Sequence, residues 1–164
     1  MTPFLAALLL ALPPKQVPAA ATDLDADLSA LGAGKTPCGR LFIRLTLWDD
    51  DRYSAIELGG GTVRFRDGDA VAEAALSLTD CRRIARQLAS RYPKTSRWPR
   101  LWKRIRTSRP DDPGRTELTL RVGRRRLDVV VGEELVQDVG FVAVIRAELM
   151  RLRPVASAPP EQER

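Results

Sequence analysis

The fold is decided by GRLFIRLTLWDDDRYSAIELGGGTVRFRDG, residues 39–68, because apolar side chains recur at every second position in this stretch. One face of its first run is wholly apolar and is formed by Leu41, Ile43, Leu45 and Leu47. The other face is mixed and carries Phe42, Arg44, Thr46 and Trp48. Turn signals at 49–51, 59–61 and 67–68 separate the runs. The stretch therefore predicts an antiparallel meander, and AVAEAALS at 70–77 adds a short fourth strand or an extended approach to a helix.

The hydrophobic period changes after this meander. LSLTDCRRIARQLASRYP at 76–93 has a helical period, with Ser77 and Asp80 approximating a capping box and Pro93 as the stop. TELTLRVGRRRLDVVVG at 116–132 predicts a hairpin turning at Gly123, and DVGFVAVIRAELMRL at 138–152 predicts a last helix. The order of strands, helix, short helix, hairpin and helix predicts an α+β fold, with helices packed on one face of an antiparallel sheet.

The ends of the chain differ in composition from this patterned part. Residues 1–21, MTPFLAALLLALPPKQVPAAA, have a short apolar core, a helix-breaking Pro13-Pro14 pair and an A-x-A site, which is typical of a cleaved signal peptide. No Lys or Arg precedes the core, so an Ala- and Pro-rich extension is the alternative. The core is too short for a transmembrane span, which needs about 20 residues. Residues 22–37 predict a flexible linker, 38–153 a single α+β domain and 154–164 a disordered tail.

The sequence contains two cysteines, Cys38 and Cys81. In an exported protein, periplasmic or secreted, we expect them to form a structural disulfide, whereas in the cytosol they would be two small buried thiols. A bridge that closes a loop of roughly 40 residues would stabilise the fold by about 3–4 kcal/mol in the chain-entropy account.

Histidine is absent from the sequence. Ser-His-Asp and Cys-His catalytic arrangements therefore lack their usual base, and zinc sites that use histidine are excluded. Two cysteines are too few for a four-thiolate site within one chain. We therefore expect a protein that is not an enzyme and holds no cofactor and no metal.

Three turn motifs each allow a structural and a functional interpretation. The carboxylates at 49–51 suit a cation such as calcium, but no Gly-centred loop or closing Glu follows, which favours a solvated turn. The glycines at 59–61 precede a strand rather than a helix, which favours a hairpin over a phosphate cradle. Arg124, Arg125 and Arg126 would either clamp phosphate or sulfate or form a charged turn that discourages aggregation.

The most basic stretch is SRWPRLWKRIRTSRP, residues 96–110, which contains no acid. The spacing of Trp98, Leu101, Trp102 and Ile105 predicts the apolar stripe of a short helix capped by Ser96. The basic side chains fall around the rest of the circumference: Arg97, Arg100, Lys103, Arg104, Arg106 and Arg109. Either the tryptophans pack on the domain while the arginines are solvated, or the helix takes up an anionic surface or an acidic partner. Because aromatic and basic residues segregate, nucleic acid is the least favoured partner.

The quoted strands and helices, from GRLFIRLTLW and GTVRFRDG through LSLTDCRRIARQL and TELTLRVGRRRLDVVVGEE to VAVIRAELMRL, resemble the ββ-helix-ββ-helix arrangement of emfourin-like small bacterial domains. Some members of that family inhibit metalloproteases, so the resemblance implies an α+β binding module. It covers residues 39–152 and assigns no inhibitory residue to a position here. The basic insertion around Trp98 and the export features depart from the family pattern.

A net charge of +6 and an isoelectric point near 10.0 attract the molecule to anionic partners. We expect an exported, non-enzymatic binding module whose basic face, 97–109 with 124–126, engages an acidic protein or an anionic envelope surface. The alternatives are an inhibitor-like domain that blocks a peptidase, and an enzyme with a carboxylate-only or metal-carboxylate site. The oligomeric state does not follow from the sequence.

Overall fold

A computed structural model describes residues 16–50, 52–107 and 114–154. Its six-stranded sheet has the order β4-β3-β2-β1-β5-β6, with every neighbouring pair antiparallel. The strands are β1 (Leu41–Asp49), β2 (Arg52–Gly59), β3 (Thr62–Asp67), β4 (Ala70–Ala75), β5 (Arg115–Val122) and β6 (Arg125–Gly132). The helices in these ranges are α1 (Ala19–Gly32), α2 (Leu78–Arg91), α3 (Trp98–Thr107), α4 (Glu133–Val136) and α5 (Gly140–Arg151), with 3-10 turns at Cys38–Arg40 and Thr95–Arg97. The predicted α+β class is confirmed.

The strand alternation decides which face of the sheet meets the helices. The apolar face of β1 is buried at Leu41, Ile43 and Leu45, and α1, α3 and α5 pack against strands on this side. The opposite face is open, and its charges pair between neighbouring strands. Arg44 bonds Glu57 at 2.8 Å, for example. Exposed pairs of this kind stabilise the fold little. The buried apolar side chains of β1 lie on the helical side of the sheet, where the core is.

The start of α2 shows the predicted cap. The Ser77 hydroxyl oxygen accepts the Asp80 backbone N–H at 3.0 Å, and the hydroxyl donates to the Asp80 carboxylate at 2.7 Å. The other Asp80 oxygen, Oδ1, lies 2.7 Å from Arg83 and 3.1 Å from Arg151 of α5. The cap therefore also joins the beginning of α2 to the end of α5.

The prediction of a flexible linker at 22–37 is wrong. Leu24, Leu28 and Leu31 are fully buried on α1, at the spacing of one helical stripe. The acids between them suggested a solvated linker, but Asp23 and Asp27 instead pair with Arg125 of β6 at 3.5 and 2.7 Å. The folded domain therefore includes α1 and starts before residue 38.

The N-terminal and C-terminal predictions fall mainly outside the described residues. Residues 1–15 of the predicted signal peptide and 155–164 of the predicted tail lie there. Ala19 to Ala21, the end of the predicted signal peptide, form the first turn of α1.

The predicted disulfide joins Cys38 to Cys81, with Cα atoms 6.3 Å apart and a sequence separation of 43. Cys38 lies in the 3-10 turn that leads into β1, and Cys81 is buried in the first turns of α2. The bridge therefore ties the beginning of the sheet to the second helix.

Candidate binding groove beside the third helix

The tryptophans of the basic stretch anchor α3 to the core. Trp98 is fully buried, and Trp102 and Ile105 are each 3% exposed. The Trp98 ring lies 5.5 Å from that of Tyr92 and 5.7 Å from that of Phe141, at angles typical of packed aromatic pairs. The tryptophans of the stretch at 96–110 therefore pack on the domain, as the first of its two interpretations expected.

The connection between α2 and α3 differs from the prediction at one point. Pro93 follows the end of α2 as expected, but Ser96 lies inside a 3-10 turn that runs directly into α3. Arg97 ends this turn, and Trp98 already has helical backbone angles. The short turn brings the end of α2 beside α3 and leaves a groove between them.

This groove has a volume of about 830 Å³ and is lined by α2, the 3-10 turn, α3 and the beginning of α5. Its lining carries five basic side chains: Arg91, Lys94, Arg97, Arg100 and Arg104. Among the described residues, the acid in the lining is Asp138, whose Oδ2 lies 2.6 Å from Nη2 of Arg104. Tyr92, Pro93, Leu101 and Gly140 add apolar and backbone surface.

Four of these cations have no acidic partner. Within residues 16–50, 52–107 and 114–154, no ion pair involves Arg91, Lys94, Arg97 or Arg100, and all four are exposed. Four neighbouring positive charges repel one another, and a bound anion would remove that repulsion. The arrangement can therefore hold carboxylate or other oxyanion groups through charge-assisted hydrogen bonds.

The remaining predicted residues of α3 do not line this groove. Lys103 is exposed elsewhere on the helix, and Arg106 is half-buried with its Nε making no hydrogen bond to the described part of the chain. Arg109 lies outside the described residues. Of the predicted basic residues on α3 and the turn before it, Arg97, Arg100 and Arg104 line the groove.

The hairpin arginines do not join the groove. Arg125 binds Asp27 at 2.7 Å, and Arg126 binds Asp128 at 2.8 Å on the open sheet face. A hydrogen bond to Asp27 raises the pKa of Arg125, and one to Asp128 raises the pKa of Arg126. Arg124 is exposed at the turn and has no ion pair with the described residues. None of these three arginines is among the residues that line the groove.

Sequence reasoning missed Arg91 and Lys94 as members of the groove. They belong to the end of α2 and the loop after it, so no periodicity within α3 could include them. The sequence did contain one indication of this arrangement. Pro93 stops α2 only five residues before Trp98, so the basic end of α2 and the basic helix α3 must be neighbours.

The predicted turns at 49–51 and 59–61 connect strands. Asp50 has a φ of 51° at the first turn, and Gly60 and Gly61 have φ values of 59° and 80° at the second. Asp51 lies outside the described residues. In the described ranges, no group of three or more His, Cys, Asp or Glu side chains is placed to hold a metal ion.

Each helix in the described part of the chain is too short or too polar to span a membrane. No protein-family model and no curated protein matches the sequence.

Proposed function

We propose that this protein is a non-enzymatic binding module that takes up an acidic segment of a partner protein in the groove beside α3. The observation that supports this most is the cluster of four cations in one concave surface, at residues 91, 94, 97 and 100, which form no ion pair with any described residue. Carboxylates from Asp and Glu residues are the matching groups, because arginine can bind a carboxylate in a two-point geometry.

The packing of α3 favours a polypeptide over a membrane surface. A helix that binds a membrane inserts its apolar face between lipid head groups. The apolar face of α3 is buried in the core, at Trp98 and Trp102, and is not accessible to lipid. A groove also matches an extended chain better than a flat bilayer.

We place the protein in an exported setting as part of the same proposal. The Cys38–Cys81 bridge supports it, since disulfides persist in the periplasm or outside the cell and are rare in the cytosol. A partner would then be an acidic protein of the same compartment.

The test is binding of a fluorescent twelve-residue Asp/Glu peptide, followed by anisotropy at low and high salt. We expect the double variant Arg97→Glu/Arg100→Glu to weaken binding by at least about tenfold, since each lost charge-assisted hydrogen bond contributes about 1.5–3 kcal/mol. The matched control is Arg40→Glu/Arg124→Glu, which changes net charge equally at exposed positions away from the groove.

Three results would contradict the proposal. If both double variants weakened peptide binding equally, the peptide would be attracted by the net charge of the protein alone and not by the groove. Affinity that does not fall at raised salt would exclude an electrostatic site. Binding to vesicles with anionic lipid, but not to the peptide, would indicate a membrane surface instead.

A further inference from the structure

Among the described residues, the strand β4 forms an edge of the sheet that no further strand pairs with. Each of its residues, Ala70 to Ala75, is exposed or half-exposed, and Val71 is 53% exposed. Natural proteins usually protect such an edge with lysine, proline, a bulge or a covering helix. The β4 sequence, AVAEAA, contains no lysine and no proline, and its acid, Glu73, is bonded to Arg64 of β3 at 2.9 Å.

The other edge of the sheet is protected. The helices α1, α3 and α4 all pack against β6, and Arg125, Arg126 and Asp128 place charges along it. Both edge strands expose a valine on the open face of the sheet, Val71 on β4 and Val130 on β6. Of the two edge strands in the described residues, β4 has small side chains beside its valine and lacks helix contacts as extensive as those on β6.

We propose that β4 pairs with β4 of a second copy of this chain, antiparallel and about a two-fold axis at Ala72, to give one continuous sheet. Charge favours this partner. The segment 62–75 contains two arginines and three acids, so two copies are not repelled there as they would be at the basic grooves.

Charge also selects the register. With the axis at Ala72, Glu73 of one copy lies opposite Val71 of the other. Arg66 pairs with Val71 within each copy, so Arg66 of the second copy lies two strand spacings, about 10 Å between Cα atoms, from Glu73 of the first. Long side chains span that distance, and Arg66 has no ion pair within the described residues.

Neighbouring registers are less favourable. An axis at Glu73 would place the two Glu73 carboxylates opposite each other, which destabilises a strand pair. An axis at Val71 would place Glu73 opposite Asp69 of the second copy, with the same result. The Ala72 register therefore avoids like charges and keeps the inner alanines on the helical side.

The interface consists of one strand edge, so we expect a weak dimer with a dissociation constant on the order of 10–100 µM. Since α3 packs against β6 at the far edge, both grooves stay open in the dimer. Dimerisation is therefore independent of the binding of a short peptide to one groove, and either proposal can fail alone.

The test is sedimentation equilibrium of the intact chain between about 1 and 500 µM. We expect Val71→Lys to raise the dissociation constant at least about tenfold, because a lysine on an edge strand opposes pairing. Val130→Lys is the matched control on the other edge and should leave the constant unchanged. A wild-type chain that stays monomeric throughout, or equal effects of the two variants, would overturn the proposal.

A disulfide cross-link tests the proposed Ala72 register directly. This test remains valid even if Val71→Lys fails to fold. Ala72→Cys should form a disulfide-linked dimer on mild oxidation, since residues directly opposite have Cβ atoms about 4.5–5.5 Å apart. Ala70→Cys is the control, because in this register the two copies of residue 70 lie about 14 Å apart. Linkage through position 70 but not through position 72 would overturn the pairing.

Discussion

Tyr92 connects three parts of the molecule at the scale of one residue. Its hydroxyl donates to the Ala21 carbonyl of α1 at 2.7 Å, and its ring lies 5.3 Å from that of Phe141 and 5.5 Å from that of Trp98. Burial raises the pKa of the Tyr92 phenol well above its usual range, and the nearby Asp25 carboxylate raises it further. The side chain therefore remains a hydrogen-bond donor behind the groove.

Replacement of Tyr92 by Phe should lower the free energy of unfolding by about 1 kcal/mol at neutral pH, the usual net contribution of one hydrogen bond. It should also change how the free energy of unfolding falls at alkaline pH. The unfolded chain loses the phenol proton near the ordinary pKa of 10.0 while the folded chain keeps it, so this contribution is present below pH 10 and is lost as pH rises.

Denaturant unfolding at about pH 8 and about pH 11 measures both effects. We expect Tyr92→Phe to lose less stability between the two conditions than the wild type, and Tyr53→Phe, at a site 38% exposed, to behave as the wild type. A Tyr92→Phe protein with the wild-type alkaline decline would show that the phenol does not stay protonated.

At the scale of elements, α1 and α2 approach closely where α1 ends. A Cβ atom built on Gly32 would lie 2.8 Å from Cγ of Arg86 and 3.1 Å from its backbone nitrogen. A rotation of the Arg86 side chain could move its Cγ away, but the contacts with the Arg86 backbone nitrogen and Cα, at 3.1 and 3.2 Å, would remain. The glycine is therefore needed for the helix contact.

We expect Gly32→Ala to lower the free energy of unfolding by about 1 kcal/mol or more. Alanine gains up to about 1 kcal/mol of helix propensity, but overpacking against a fixed backbone costs about 1–3 kcal/mol. Thermal unfolding beside Gly39→Ala, where a Cβ would meet nothing within 4 Å, isolates the contact. A Gly32→Ala protein that is more stable than the wild type would mean that α1 is loosely packed.

The same helix shows where sequence reasoning about elements succeeded and where it failed. The strands, α2 and its Ser77 cap were predictable, because alternation and capping are local signals. α1 was not predicted, because the aspartates among Leu24, Leu28 and Leu31 resemble the composition of a linker. Their ion pairs with Arg125 depend on a strand 98 residues later, which no local pattern contains.

For the whole molecule, the two proposed surfaces lie at opposite edges of one sheet. The groove beside α3 is near β6 and carries a local excess of positive charge, whereas β4 is nearly neutral. A dimer through β4 would present two grooves to one partner. An acidic chain long enough to reach both would then bind more tightly than one groove allows.

The candidate site was only partly predictable at this scale. The sequence indicated Arg97, Arg100 and Arg104, because they lie beside an apolar helical stripe. The sequence also grouped this face with 124–126, but that grouping depended on tertiary placement, and none of those three arginines lines the groove. Lys94 and Arg91 enter the site only because the chain turns sharply after α2.

Titration of the Asp/Glu peptide into the labelled protein, followed through backbone amide chemical shifts, maps directly where the peptide binds. We expect the shift changes to cluster at residues 91–104 and 138–140, around the groove. They should disappear in Arg97→Glu/Arg100→Glu. Changes centred on the open sheet face or on Arg124, or spread over all exposed arginines, would contradict the proposed binding in the groove.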